Sequence, residues 1–328
     1  MIGWNNFWRK KMTKADSAGH KKTSGPTSAS RKKSKTTSAP HKKTSKTNNT
    51  PRSNDSSKHN PSCDTKTRLQ SILSELNKRF HFNSSNSSIR LAHQKWPQNI
   101  TSPFFVVSND GQVEVAFIPQ LISEETAEEI THNLEYLQEQ ENVKKVTYCG
   151  VLDNSMPMNY ITAKTDSRIG DYIANYLNPT LNPIVQNILN ALSFRTLNYL
   201  VSLNEELMKI NNSSYPVTAI NFLTPDLDDH RILKAHKDHQ DSAPSILMYF
   251  GDYPKDEGYL EFTEKNCKIH VRPGDILLFK GNKYKHAVAK ISTGHRIGMV
   301  YFVHKGNKTK PFYNNTQKKS LLIHKEII

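Results

Sequence analysis

The chain has 328 residues, enough for one large folded domain or two small ones, and its net charge of +15 is concentrated at one end. Residues 1–68 carry 17 Lys+Arg against 3 Asp+Glu, whereas the remainder carries 28 against 27, so a nearly neutral body follows a strongly basic arm. Cys63, Cys149 and Cys267 are too few and too far apart for a disulfide framework or a cysteine metal motif, and no apolar run is long enough for a membrane span.

The arm, residues 1–64, is rich in Lys, Ser, Thr, Asn and Pro and poor in apolar residues after Trp8. Such a segment cannot bury enough surface to offset the entropy of ordering, and it reads as disordered. A short basic unit recurs in it: "HKKTSGPTSAS" from His20, "RKKSKTTSAP" from Arg31 and "HKKTSKTNNT" from His41. The unit resembles linker-histone tails. Regular cationic clusters on a flexible chain suit phosphate neutralisation, so the expected partner of residues 9–68 is nucleic acid, DNA before RNA. The plainer alternative is a solubilising tail or a nuclear import signal. The opening "MIGWNNFW" is too short for a secretory signal and is followed by lysines, so the expected location is intracellular, reducing and nuclear.

Residues 65–103 form the next segment. "TKTRLQSILSELNKRFHF" puts Leu69, Ile72, Leu73, Leu76 and Phe80 on one helical face, and "NSSNSS" at 83–88 reads as a linker. The main domain is expected over 104–305, its first buried residues near Trp96 or Phe104, with a tail at 306–328. Within it, "QVEVAFIP" (112–119) alternates as a strand stopped by Pro119. "SEETAEEITHNLEYLQEQ" (123–140) is a helix with Ser123 as N-cap and acids in its first turn. Two more helices are expected at 166–177 and 181–193. Beyond residue 215 come short strands set apart by Gly, Pro, Asp and Asn: "YPVTAINFLTP", "PSILMYFG", "YLEFT", "KIHV", "DILLFKG", "KHAVAKI" and "RIGMVYFVH". Helices followed by closely spaced strands predict an α+β fold ending in a sandwich or barrel.

The chemistry is concentrated in that strand-rich half. "RILKAHKDHQDS" (231–242) holds His236 and Asp238, which share a face on extended backbone. A lone His-x-Asp is ordinarily a polar loop. A third neutral nitrogen would complete a two-histidine, one-carboxylate facial triad, the arrangement that suits non-haem Fe(II) and leaves positions open. His286, after the turn and strand of "GDILLFKGNKYKHAVAKI", is the candidate. Ten residues on, "GHRIGMVYF" puts Arg296 at the head of a strong strand, and a buried guanidinium suits a dicarboxylate. His239 competes as a ligand but points away from Asp238 on a straight strand. Asp241 is similar, and both read as neighbours of the site or as plain surface. His270 and His304 read as ordinary strand residues, and His295 should face away from Arg296. Lys280, Lys283 and Lys285 are either a solvated turn or phosphate contacts at the mouth of the site.

His-x-Asp, then "PGDILLF", then His, then Arg ten positions later resembles the Fe(II)/2-oxoglutarate-dependent dioxygenases across about residues 113–304. The resemblance implies a double-stranded β-helix (jelly-roll) core with supporting helices N-terminal to it. It implies iron held by His236, Asp238 and His286, with Arg296 on the distal carboxylate of 2-oxoglutarate and O2 as the oxidant. "YLEFTEKNCKIHVRPGDILLFKGNKYKHAV" looks most like the TET and J-binding-protein group, which oxidises methyl groups of DNA pyrimidines, here thymine or 5-methylcytosine. Asn221 in "AINFL" resembles a cosubstrate-touching asparagine of AlkB-like members. Three departures stand out. Gly298 replaces the serine of the usual Arg-x-Ser, "GYLEF" replaces a Gly-Gly pair, and Phe302 stands where repair demethylases carry a second arginine. The competing readings are a protein prolyl or lysyl hydroxylase of the same fold and a non-catalytic chromatin-binding module.

Overall fold

The computed structural model describes residues 87–151, 167–203, 205–228 and 231–307, with isolated helical positions at Thr67, Gln70, Ser71, Ser74 and Lys78. Those five positions are all exposed, the polar side of the amphipathic helix expected there; its apolar positions, the basic arm and residues 308–328 lie outside the described residues. Among the described residues no helix is long and apolar enough to cross a membrane.

Two short strands come first, β1 (Ser88–Leu91) and β2 (Asn99–Ile100), followed by β3 (Phe104–Val107) and β4 (Val113–Ile118). Residues 88–103, assigned from sequence to the segment before the main domain, thus contribute two strands. β1 pairs in parallel with β3, and β2 in parallel with β9 (Cys267–Ile269). Trp96 between them is buried against Phe104, Phe262 and Tyr284.

Helix α1 (Glu124–Gln140) starts where expected: the Ser123 hydroxyl accepts from the Thr126 N–H, with Glu124 and Glu125 in the first turn. It buries Ala127, Ile130, Leu134 and Leu137, one stripe at helical spacing. The Thr131 hydroxyl accepts the Gly251 N–H at 2.9 Å, fixing α1 to the end of β7 (Ser245–Gly251). β5 (Val146–Gly150) follows α1. The two helices expected over 166–193 run together: α2 (Arg168–Tyr172) passes through one π-helical turn, Ile173–Leu177, into α3 (Asn178–Leu192). The wider turn comes just before Pro179, whose ring conflicts with ordinary α-helical pairing. Two further helices, α4 (Phe194–Ser202) and α5 (Glu205–Asn211), fill an interval that carried no expectation.

All seven C-terminal strands form. They are β6 (Val217–Leu223), β7, β8 (Leu260–Phe262), β9, β10 (Ile276–Phe279), β11 (His286–Val288) and β12 (Arg296–Phe302). The large sheet has the order β1-β3-β4-β10-β7-β12-β6-β5, and a smaller one β11-β8-β9-β2. Between them lies a core of buried residues drawn from both sheets, among them Phe104, Phe117, Phe262, Ile269, Leu277 and Phe279. Truncating one of its phenylalanines to Ala would cost about 3–5 kcal/mol. Every position of β4 and β10 is buried, because one face meets this core and the other is covered. This is the α+β, double-stranded β-helix architecture expected from sequence.

Candidate active site

His236 and Asp238 are not on a regular strand; the segment hangs from the backbone that leads into β11. His236 and His286 exchange both of their backbone hydrogen bonds at 2.9 Å, and the Asp238 N–H donates to the Gly281 carbonyl at 2.9 Å. Two side chains far apart in sequence are thereby registered against the third. Nε2 of His236 lies 3.6 Å from Oδ1 of Asp238, and Nε2 of His286 lies 3.3 Å from Oδ2. The three groups offer ligand atoms within 4.8 Å of one another.

The other nitrogen of each ring is used. Nδ1 of His236 faces the Lys234 carbonyl at 2.7 Å, and Nδ1 of His286 faces the Tyr284 carbonyl at 3.0 Å. A carbonyl can only accept, so each Nδ1 carries the proton and each Nε2 presents its lone pair inward. Burial foremost holds the His236 imidazole below its usual pKa. Burial pushes the Asp238 carboxyl upward, but its contacts with His286, His236 and Arg231 outweigh it and leave it below its usual value. Neutral imidazole and ionised carboxylate are the forms a metal requires, and two nitrogens with one oxygen suit Fe(II). The donor set fits the ion.

Arg296 heads β12 and is only 2 % exposed. Its Nε–H donates to the Gly258 carbonyl at 2.7 Å, and its guanidinium carbon lies 5.0 Å from the centre of the Tyr249 ring. Among the described residues no carboxylate pairs with it, and the buried Tyr249 hydroxyl has no hydrogen-bond partner. A buried cation left without an anion costs several kcal/mol, about what a carboxylate ligand would relieve. A side chain at Gly258 would be strained: its φ is +60°, and a Cβ would stand 2.8 Å from Cδ of Arg296. Gly298 pairs with Asn221 across β12 and β6, so Asn221 shares the face of Arg296. A Cβ on Gly298 would lie 3.5 Å from a guanidinium nitrogen, an ordinary contact, so a serine would fit and its absence leaves room.

The remaining candidate residues divide among several roles. Lys280 and Lys283 are more than a solvated turn: their ammonium groups turn to the buried Glu114 carboxylate, at 3.5 Å and 2.6 Å. A carboxylate taken out of water needs such partners, and nothing in the local sequence announces it. Lys285 is exposed. His239 is exposed, whereas Asp241 is buried, accepts from the Ser245 hydroxyl at 2.9 Å and pairs with His304 in a backbone bridge. Burial, and then the charge of Asp238, pushes the Asp241 carboxyl up to about 7. His295 faces away from Arg296, its Nδ1 3.0 Å from Glu135 on α1. Near it a cleft of about 710 Å³ opens beside α1 and contains none of the three candidate ligands. The sequence pattern gave no sign of Arg231, whose exposed guanidinium lies 3.3 Å from Oδ1 of Asp238, or of Glu114.

A double-stranded β-helix holding two histidines and an aspartate at ligand spacing, with a buried arginine, defines an Fe(II)- and 2-oxoglutarate-dependent dioxygenase. No family model matches the chain. It is 49% identical over 261 residues to Tet-like dioxygenase 1 of Naegleria gruberi, across 80% of this chain and 81% of that protein. It also superposes on the solved structure of NgTET1 in complex with 5mC DNA, with a TM-score of 0.73 and 49% identity over 80% of this chain and 99% of that one. The chain belongs to the Tet-like dioxygenases.

Proposed function

We propose that this enzyme oxidises the 5-methyl group of 5-methylcytosine in DNA, giving 5-hydroxymethylcytosine while 2-oxoglutarate and O2 become succinate and CO2. The observation that carries the reading is the convergence of His236, Asp238 and His286 in a chain 49% identical to a Tet-like dioxygenase. The DNA complex solved for the similar NgTET1 supports the choice of base.

In this reading the triad holds Fe(II), which when bound supplies the activation of O2 coupled to oxidative decarboxylation of 2-oxoglutarate. The protein's share is orientation. Two Nδ1–H groups anchored on backbone carbonyls keep both imidazoles aimed inward. Arg296 grips the distal carboxylate of the cosubstrate, its Nε bond to Gly258 leaving the two terminal nitrogens for a bidentate contact. Asn221, on the same face, borders that carboxylate. The target base leaves the duplex stack to reach the site. The arm over residues 9–68 and exposed Lys285 neutralise backbone phosphates without reading sequence, and the enzyme works in the nucleus.

Mass spectrometry of nucleosides from methylated DNA incubated with the enzyme, Fe(II), 2-oxoglutarate and ascorbate tests the substrate. 5-Hydroxymethylcytosine is expected. Succinate without any oxidised base would reject DNA as substrate, and 5-hydroxymethyluracil alone would move the assignment to thymine. Removing residues 1–64 should weaken DNA binding and flatten its salt dependence while leaving DNA-free turnover of 2-oxoglutarate unchanged; unaltered salt dependence would remove the arm from the account.

A further inference from the structure

Glu114 breaks the pattern of its own strand. In "QVEVAFI" a glutamate between valines belongs on a wet face, yet this one is only 3 % exposed. The pairing of β3 with β4 explains how it gets inside. Val106 pairs with Val115 and Val107 with Val113, so Glu114 is an extra residue with no partner opposite. Such a bulge re-aims a side chain. Here it directs the carboxylate under the loop that joins β10 to β11.

That loop closes on Glu114 from both ends. Lys283 Nζ approaches its two oxygens at 2.7 and 2.6 Å, the Tyr284 hydroxyl donates at 2.5 Å, and Lys280 Nζ lies 3.5 Å away. The Lys280 N–H also donates to the Glu114 carbonyl at 3.1 Å. Trp96 packs on the Tyr284 ring, centroids 5.2 Å apart. The loop in turn touches two of the three candidate ligands. The Gly281 carbonyl accepts the Asp238 N–H at 2.9 Å, and the Tyr284 carbonyl orients Nδ1 of His286 at 3.0 Å. Gly281 is so close that a Cβ would lie 2.8 Å from Oδ2 of Asp238.

We propose that Glu114 is a positioning residue for iron: it clamps the loop 280–285, which sets the backbone of Asp238 and the imidazole of His286 at ligand spacing. The proposal rests on the reading of His236, Asp238 and His286 as the iron site. A merely neutralised buried charge would support folding without controlling metal affinity, and that difference is measurable.

The test is anaerobic titration of the full chain with Fe(II), with the visible absorption bands of the Co(II)-substituted protein as a second readout. Glu114→Gln keeps the shape and the acceptor for Tyr284 but releases two ammonium groups. Their side chains, 29% and 48% exposed, can turn to water, which favours a folded variant. Groups that orient metal ligands typically affect affinity about 10–100-fold, and Glu114 acts one step further out, so a loss of about tenfold with altered Co(II) bands is expected. Lys283→Met should give a loss in the same direction, and the double variant no more than the worse single one, because both act through one clamp. His286→Ala, run alongside, separates the two levels. If His286→Ala leaves Fe(II) affinity unchanged, the site assignment fails and the clamp with it. If His286→Ala removes binding but folded Glu114→Gln keeps wild-type affinity and Co(II) bands, the clamp is overturned and the site stands. Should Glu114→Gln not fold, Lys283→Met decides in its place: reduced Fe(II) affinity supports the clamp, and wild-type affinity overturns it.

Discussion

Around His236 and Asp238 the side chains are half-exposed and take their positions from backbone carbonyls at Lys234 and Gly281. Around Arg296 the surroundings are buried: Tyr249 lies beside the guanidinium, and Gly258 has no side chain to fill the space it needs. The two regions handle charge in opposite ways. At the rim, charge is balanced within the protein, the Asp238 carboxylate by Arg231. On the floor, a full positive charge is kept dry with no carboxylate paired to it among the described residues. A metal ligand must be ready but exchangeable, whereas a cosubstrate anchor gains selectivity by being costly until its carboxylate arrives.

That contrast can be broken at either end. The largest effect is expected at the rim: His236→Ala or Asp238→Ala should abolish turnover and strip Fe(II) binding, while the melting temperature of the metal-free protein changes little. Calorimetry beside metal titration checks this, and a collapsed fold would contradict it. Next comes Arg296→Met. Losing one partner of a buried charge-assisted pair costs about 2–5 kcal/mol, roughly 30-fold or more, so the 2-oxoglutarate concentration for half-maximal rate should rise at least that far. The cosubstrate-free protein should melt no lower than wild type, because an unpaired buried charge has been removed. A lower melting temperature would show that the guanidinium is already satisfied.

Gly258→Ala sharpens the comparison further. A methyl group 2.8 Å from Arg296 Cδ, on backbone at φ +60°, must displace the arginine; the half-saturating 2-oxoglutarate concentration should rise by about tenfold, with Fe(II) affinity retained. The smallest effect concerns acid. Burial pushes the Glu114 carboxyl upward, but the bonds from Lys283 and Tyr284 and the two lysine charges hold it below its ordinary value. A depressed pKa means stability that is complete above the unfolded glutamate range, about 4.3, and lost as pH falls through the folded value. The melting-temperature gap between wild type and Glu114→Gln should therefore be widest near neutrality and narrow below about pH 4. A gap that widens on acidification would mean that the carboxyl is raised rather than depressed in the folded protein.

The strands were legible because their residues are. Runs such as "SILMYF", "DILLF" and "RIGMVYF" combine β-branched, aromatic and long aliphatic residues between Gly, Pro and Asp turns, and each lies where its letters suggest. Helix α1 announced itself through Ser123, its acids and its apolar stripe. β1 and β2 did not. "SIRL" and "NI" are short edge strands that owe their state to β3 and β9, partners no local window contains. The lysines before His286 read only as a solvated turn or a phosphate-binding mouth because their buried counter-charge, Glu114, lies 166 and 169 positions away.

The sequence by itself determined the class of the fold, the basic imbalance of the arm and the order of residues that can bind a metal and a dicarboxylate. Period-two and helical patterning, charge and side-chain chemistry are local properties, written residue by residue. Only the tertiary structure decided that His236 and His286 share a backbone bridge, that Arg296 is buried beside Tyr249 and that a bulge turns Glu114 inward. Each of these depends on which strands pair and in what register, a free-energy balance over contacts between residues distant along the chain.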